Sequence, residues 1–167
     1  RAERHVLAEL EETADEHAIG VFAVNLKNLL MRPPLPGRSV LGVDPGYRSG
    51  CKVAVVDADG QYQTSDKMFV HDERRDDAIE LVESMVRDHG IDVVAVGNGT
   101  ASREAEEVVA EAISGIDGAA YAVVDEAGAS VYSASEIAQR EFPELDVSIR
   151  GAISIARRLQ DPLAELV

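Results

Sequence analysis

The sequence predicts an α/β fold: a mixed sheet in the order β-β-β-α-β-α-β-α, preceded by a short helical segment. Three observations carry this. Two β-branched runs, Val40–Val43 and Val53–Val56, flank a Gly-rich link and read as a hairpin. Two later apolar runs, Asp92–Gly97 and Tyr121–Val124, are each followed by a helical pattern. Between them and the N-terminus stands Pro33-Pro34-Leu35-Pro36-Gly37, which cannot continue a helix.

Residues 1–32 carry apolar side chains near a 3.6-residue period (Val6, Leu7, Leu10, Ile19, Phe22, Leu26, Leu30), with Gly20 expected to divide the segment into two helices. Residues 33–37 are then a linker, and 38–167 form the main domain. Strands are expected at Ser39–Val43, Cys51–Asp57 and, after the Asp59-Gly60 turn, near Gln61–Val70. An amphipathic helix over Asp72–His89 ends at Gly90. A buried strand over Asp92–Gly97 precedes a helix from about Ala101 to Ser114. Tyr121–Val124 is the fifth strand, and the remainder is helical with breaks at Phe142-Pro143 and Asp161-Pro162. This order resembles that of the ribonuclease H-like fold, whose core is shared with actin-like sugar kinases and ATPases. The resemblance implies a site built on a first-strand Asp and later strand ends. Here those are Asp44, Gly97-Asn98 and Asp125-Glu126.

Composition narrows the function classes. At 167 residues with 46% hydrophobic content, the chain can bury one full core. No apolar run approaches the roughly 20 residues of a bilayer span. The charged start, Arg1 to His5, lacks a signal-like region, so a cytoplasmic location is expected. The single cysteine excludes an internal disulfide and a cysteine metal cluster. With 31 acidic and 16 basic residues, the net charge of −15 opposes simple electrostatic attraction of nucleic acid. Lysine is scarce, at positions 27, 52 and 67 only, which suggests a halophilic, high-salt surface rather than a ligand signal.

Three constellations carry possible chemistry. Asp44, with Asp125 and Glu126, could hold Mg²⁺ through carboxylate oxygens. The plain alternative is an Asx turn at Asp44 and helix caps at Asp125 and Glu126. Gly97-Asn98-Gly99-Thr100-Ala101-Ser102-Arg103 could cradle a phosphate at a helix N-terminus, with Arg103 as a bidentate donor. It could equally be a strand-to-helix turn capped by Thr100. Arg150, Arg157 and Arg158 form the dense basic cluster of an acidic chain. They are open to nucleic-acid contact or to pairing with Glu141, Glu144 and Asp146. Asp161-Pro162 reads as an N-cap with proline at the first helical position, and the four histidines as surface residues.

Four blocks, 44–52, 97–104, 126–136 and 150–164, resemble in order the Tex family of bacterial-type transcription accessory proteins. The resemblance covers nearly everything from the linker onward. It implies a fragment: the YqgF-type, ribonuclease H-like domain of a longer protein that also carries helix-hairpin-helix modules and an RNA-binding domain. The chain would end inside the helix at Leu163–Val167. The implied partners are nucleic acid, RNA or single-stranded, and the transcription machinery, with no membrane. Contacts are expected from Arg48, Lys52, Asn98, Thr100, Arg103, Arg150, Arg157 and Arg158. Related nucleases use a first-strand Asp, an acid after a later strand and a last-helix Asp. Asp44 matches the first and Glu126 the second, whereas the third falls at Arg150. A vestigial domain without nuclease activity, and with no cofactor, is therefore expected. The alternatives are a Mg²⁺-dependent nuclease using Asp44 and Glu126, and a nucleotide-binding actin-like module.

Overall fold

The structure is a computed structural model that describes residues 2–164, with the side chains of residues 2–4, 29 and 72 outside that description. The chain divides after Pro33 into two units. The first is one uninterrupted helix, α1 (Ala2–Leu30). The break expected at Gly20 does not occur, because an interior glycine costs only about 1 kcal/mol relative to alanine. The apolar residues of α1 do not gather on one stripe, and Val6, Leu7, Leu10, Ile19 and Phe22 are exposed.

The second unit is built on five strands: β1 (Val40–Asp44), β2 (Cys51–Val56), β3 (Tyr62–Met68), β4 (Val93–Gly97) and β5 (Ala120–Val124). Their order is β3-β2-β1-β4-β5. The three-strand meander is antiparallel; β4 and β5 add to β1 in parallel. Both faces of β1, β2 and β4 are buried, which their continuous β-branched runs require.

One face packs under α2 (Arg75–His89) and α3 (Ser102–Ile113), with Leu41, Val43, Val53, Val94 and Val96 in its core. The other packs under α6 (Val147–Gln160), with Val40, Ala54, Val56, Ile153 and Ile155. Two short helices, α4 (Ala129–Ser133) and α5 (Glu136–Glu141), lead into α6. A Cβ on Gly42 would run into the carbonyl oxygen of Ala152 and the Ala156 methyl, so glycine there sets how closely α6 lies on β1.

The expected third strand is shortened to Tyr62–Met68, and Asp72–Arg74 is a 3₁₀ turn before α2 rather than its first turn. Asp161 closes α6, and its carboxylate accepts from Leu163 N while its carbonyl accepts from Ala164 N, the bonding expected of an N-cap. Most of the helix expected over Leu163–Val167 lies outside the described residues. No described helix is long and apolar enough to cross a membrane.

Candidate functional site

Asp44 is the last residue of β1, and its side chain shares the α6 face of the sheet with Lys52, its direct partner on β2. A Cβ on Gly151 would lie 2.7 Å from Asp44 Oδ2. The position of α6 that faces Asp44 is therefore Gly151, one residue beyond the Arg150 expected from sequence. A step of one residue turns a helical side chain by about 100°. Arg150 accordingly faces elsewhere, and its guanidinium donates to the carbonyls of Phe142 and Ser133. Partial burial, and next the charge of Glu126, raise the Asp44 carboxyl to about 6; the Lys52 ammonium opposes this.

Glu126 is brought to Asp44 by the turn after β5. A Cβ on Gly97 would lie 2.7 Å from Glu126 Oε2, and one on Gly99 would collide with the whole carboxylate. The two glycines of Gly97-Asn98-Gly99 are thus the cradle of Glu126. Asn98 fastens the cradle: its Oδ1 accepts from Glu126 N at 3.1 Å, and its own N–H donates to Val124 O. Asp125 has the turn role, accepting from Ala127 N at 2.9 Å. The two neighbours considered together in sequence therefore separate, one holding the turn and the other entering the site. Glu126 Oε2 is buried with no partner among the described residues. An orphaned carboxylate oxygen beside a second acid is the chemistry of a hard-cation site.

The donor set does not fit a catalytic Mg²⁺ centre. Among the described residues no group of three His, Cys, Asp or Glu side chains gathers here or elsewhere, and Gly151 offers no oxygen where α6 meets Asp44. Asp146 is committed as the N-cap of α6, accepting from Ser148 N at 2.8 Å and from Ser148 Oγ.

The remaining residues of interest scatter. Thr100 is exposed and does not cap α3; that position is taken by Ala101 with φ 72° and no side-chain cap. Arg103 is exposed, at 3.9 Å from Glu107. Arg48 is exposed on the β1–β2 turn, where the Lys52 ammonium donates to the carbonyls of Ser49 and Gly50. Arg157 and Arg158 turn back onto the fold. The Arg157 guanidinium donates to both oxygens of Glu141 and to Gly60 O, and that of Arg158 donates to Ala127 O.

Sequence reading missed an aromatic and cationic group beside Asp44. The rings of Tyr47 and His71 stack at 5.0 Å and 14°, and Phe69 meets His71 edge-on at 6.3 Å. Arg74 lies over the Phe69 ring at 3.5 Å and Lys67 at 4.8 Å. His71 is thus half-buried, not the surface residue its spacing suggested. Its Nδ1 is a second buried atom without a partner among the described residues. The only signal in the sequence was the pair of lysines at 52 and 67, which are direct partners in the β2–β3 register.

A mixed sheet of this order, with an acid ending the central strand and a second acid following the outer parallel strand, defines a ribonuclease H-like α/β domain. The solved structure of T. thermophilus RuvC in complex with a Holliday junction substrate superposes with TM-score 0.52 at 16% identity, covering 72% of this chain and 91% of that one. At that identity the likeness shows the fold. The Tex protein YqgF-like domain model matches residues 38–160, and the chain belongs to that family. It is 50% identical over 99% of its length to the transcriptional accessory protein Tex of Neisseria gonorrhoeae. It is also 41% identical over 98% of its length to human S1 RNA-binding domain-containing protein 1. It spans 22% and 17% of those two proteins, about a fifth of their length.

Proposed function

We propose that this chain is a vestigial, non-catalytic ribonuclease H-like domain of a Tex-type transcription accessory factor, working in the cytoplasm as a scaffold and a nucleic-acid contact. The observation that carries the reading is Gly151. Where α6 meets Asp44 it presents hydrogen in place of a third oxygen ligand. Two carboxylates leave a divalent cation dependent on water and substrate for its other ligands, which gives weak affinity. The nucleic-acid part is supported by the relatives' names and by the exposed cations Arg48 and Arg103 and the half-buried Lys52. Arg150, Arg157 and Arg158 contribute to the scaffold through their internal bonds. The surplus of acid is a high-salt surface, and a stability maximum in low-salt buffer would contradict that part.

The nuclease alternative is favoured by one observation, the unpartnered Glu126 Oε2 beside an Asp44 whose pKa is raised by burial and next by the Glu126 charge. Calorimetric titration of Mn²⁺ into the chain separates the two. The scaffold reading expects binding no tighter than millimolar. Micromolar binding that both Asp44→Asn and Glu126→Gln abolish would establish the metal centre.

A further inference from the structure

We propose that the stacked Tyr47–His71 pair, with Phe69 and the cations Lys52, Lys67 and Arg74, is a platform for single-stranded nucleic acid. It deepens the nucleic-acid reading above and rests on it. Charge is unevenly paired across the domain. Arg38, Arg75, Arg87, Arg140 and Arg157 each pair with a carboxylate. Among the described residues Lys52, Lys67 and Arg74 form no such pair. Two of the three lysines of the chain face each other across β2 and β3, an arrangement that like charges disfavour. Burial and the charge of Lys67 both push the Lys52 ammonium down. Among the described residues no carboxylate forms an ion pair with these three, although the charges of Asp44, the register partner of Lys52, and of Asp146 favour the Lys52 ammonium.

The strip has a built order. Asp44, Lys52 and Lys67 are direct partners across three strands, and so share the α6 face at one end of the sheet. Asp66 points to the other face by the two-residue alternation of a strand; with Asp77 it lines the hollow on the α2 side that Lys67, Phe69 and Arg74 also line. The aromatic part lies against the same end. A Cβ on Gly50, in the β1–β2 turn, would be 2.9 Å from both Lys67 Cε and Phe69 Cε1. Tyr47 on that turn is 51% exposed, although its other side is stacked on His71. A ring that is backed on one side and open on the other is pre-set to stack a base. Cations spaced along its flank match a phosphate backbone. These are the two components of strand binding without sequence preference. A duplex hides the base faces this ring would need.

Fluorescence anisotropy with labelled short oligo(dT), oligo(U) and a duplex of equal length tests the proposal in a salt series. The intact chain is expected to bind the single strands, of either sugar, more tightly than the duplex. Tyr47→Ala should weaken single-strand binding about tenfold, and Tyr47→Phe should preserve it. Lys67→Gln with Arg74→Gln should lose as much and lower the salt slope by about 1.4, the share of two phosphate contacts on a single strand. Unchanged thermal midpoints and circular dichroism show that these losses are not unfolding. Single-strand binding that survives these variants but is lost on Arg103→Ala would overturn the platform and leave nucleic-acid binding by the domain in place. Tighter duplex binding would also overturn it. No binding of any of the three probes by the intact chain at low salt would overturn the platform and the nucleic-acid reading together.

Discussion

Two charged regions of this domain, both in contact with α6, are organised in opposite ways. Around α5 and α6, Arg157 is closed in by Glu141, Gly60 O and Tyr132, and the Glu141 carboxyl is held below its usual range, chiefly by the Arg157 hydrogen bond. At the end of β1, Asp44 faces Glu126 across a site in which no described residue donates to the Glu126 Oε2, and burial pushes Asp44 the other way. The first region uses charge to lock the fold. The second keeps charge at a cost to the fold, the usual mark of a site retained for a ligand or inherited from one.

The largest effect should come from breaking the lock. Arg157→Ala removes the guanidinium from Glu141, which keeps only the Tyr132 hydroxyl, and from the Gly60 carbonyl, and a loss of about 2 kcal/mol is expected in chemical denaturation. Lys67→Ala and Arg74→Ala, which break no described ion pair, should each stay within about 0.5 kcal/mol. A large loss at Lys67 or Arg74 would erase the contrast between the two regions.

Asp44→Asn should act in the opposite sense. The folded carboxyl titrates near 6 against 3.8 in the unfolded chain, so the folded state holds the proton more tightly. Asp44 therefore makes stability fall as pH rises from about 4 through 6. Removing its charge should stabilise the chain by about 1–2 kcal/mol at pH 7.5, less than the full shift implies because solvent screens the half-buried group. The gain should vanish below pH 4. Glu141 has the reverse sign: its contribution is present above the ordinary carboxylate range and is lost as pH falls below it. Unfolding curves of Asp44→Asn and Glu141→Gln against the unaltered chain across pH 3.5–8 would show whether these slopes oppose each other.

The sheet was legible because its strands are buried on both sides and so read as unbroken β-branched runs bounded by turn residues. Asp44 was legible for the same reason, as a charge at the exit of such a run. The Glu126 cradle was not, since Gly97 and Gly99 act on a residue nearly thirty positions away, and a Gly-Asn-Gly turn by itself resembles a phosphate loop. The residue of α6 opposite Asp44 depended on helix phase, where one position exchanges a cation for a bare backbone. The inward turn of the three arginines was only half visible. Their partners are mostly backbone carbonyls, which no spacing of side chains reveals.

The central claim is that the fold of a nuclease persists here without its catalytic centre. Incubation of the chain with labelled single-stranded and four-way-junction substrates in Mg²⁺ or Mn²⁺, alongside Asp44→Asn, tests it most directly. The account predicts substrates that remain intact, with no difference between the two proteins. Cleavage by the intact chain that disappears in Asp44→Asn would contradict it.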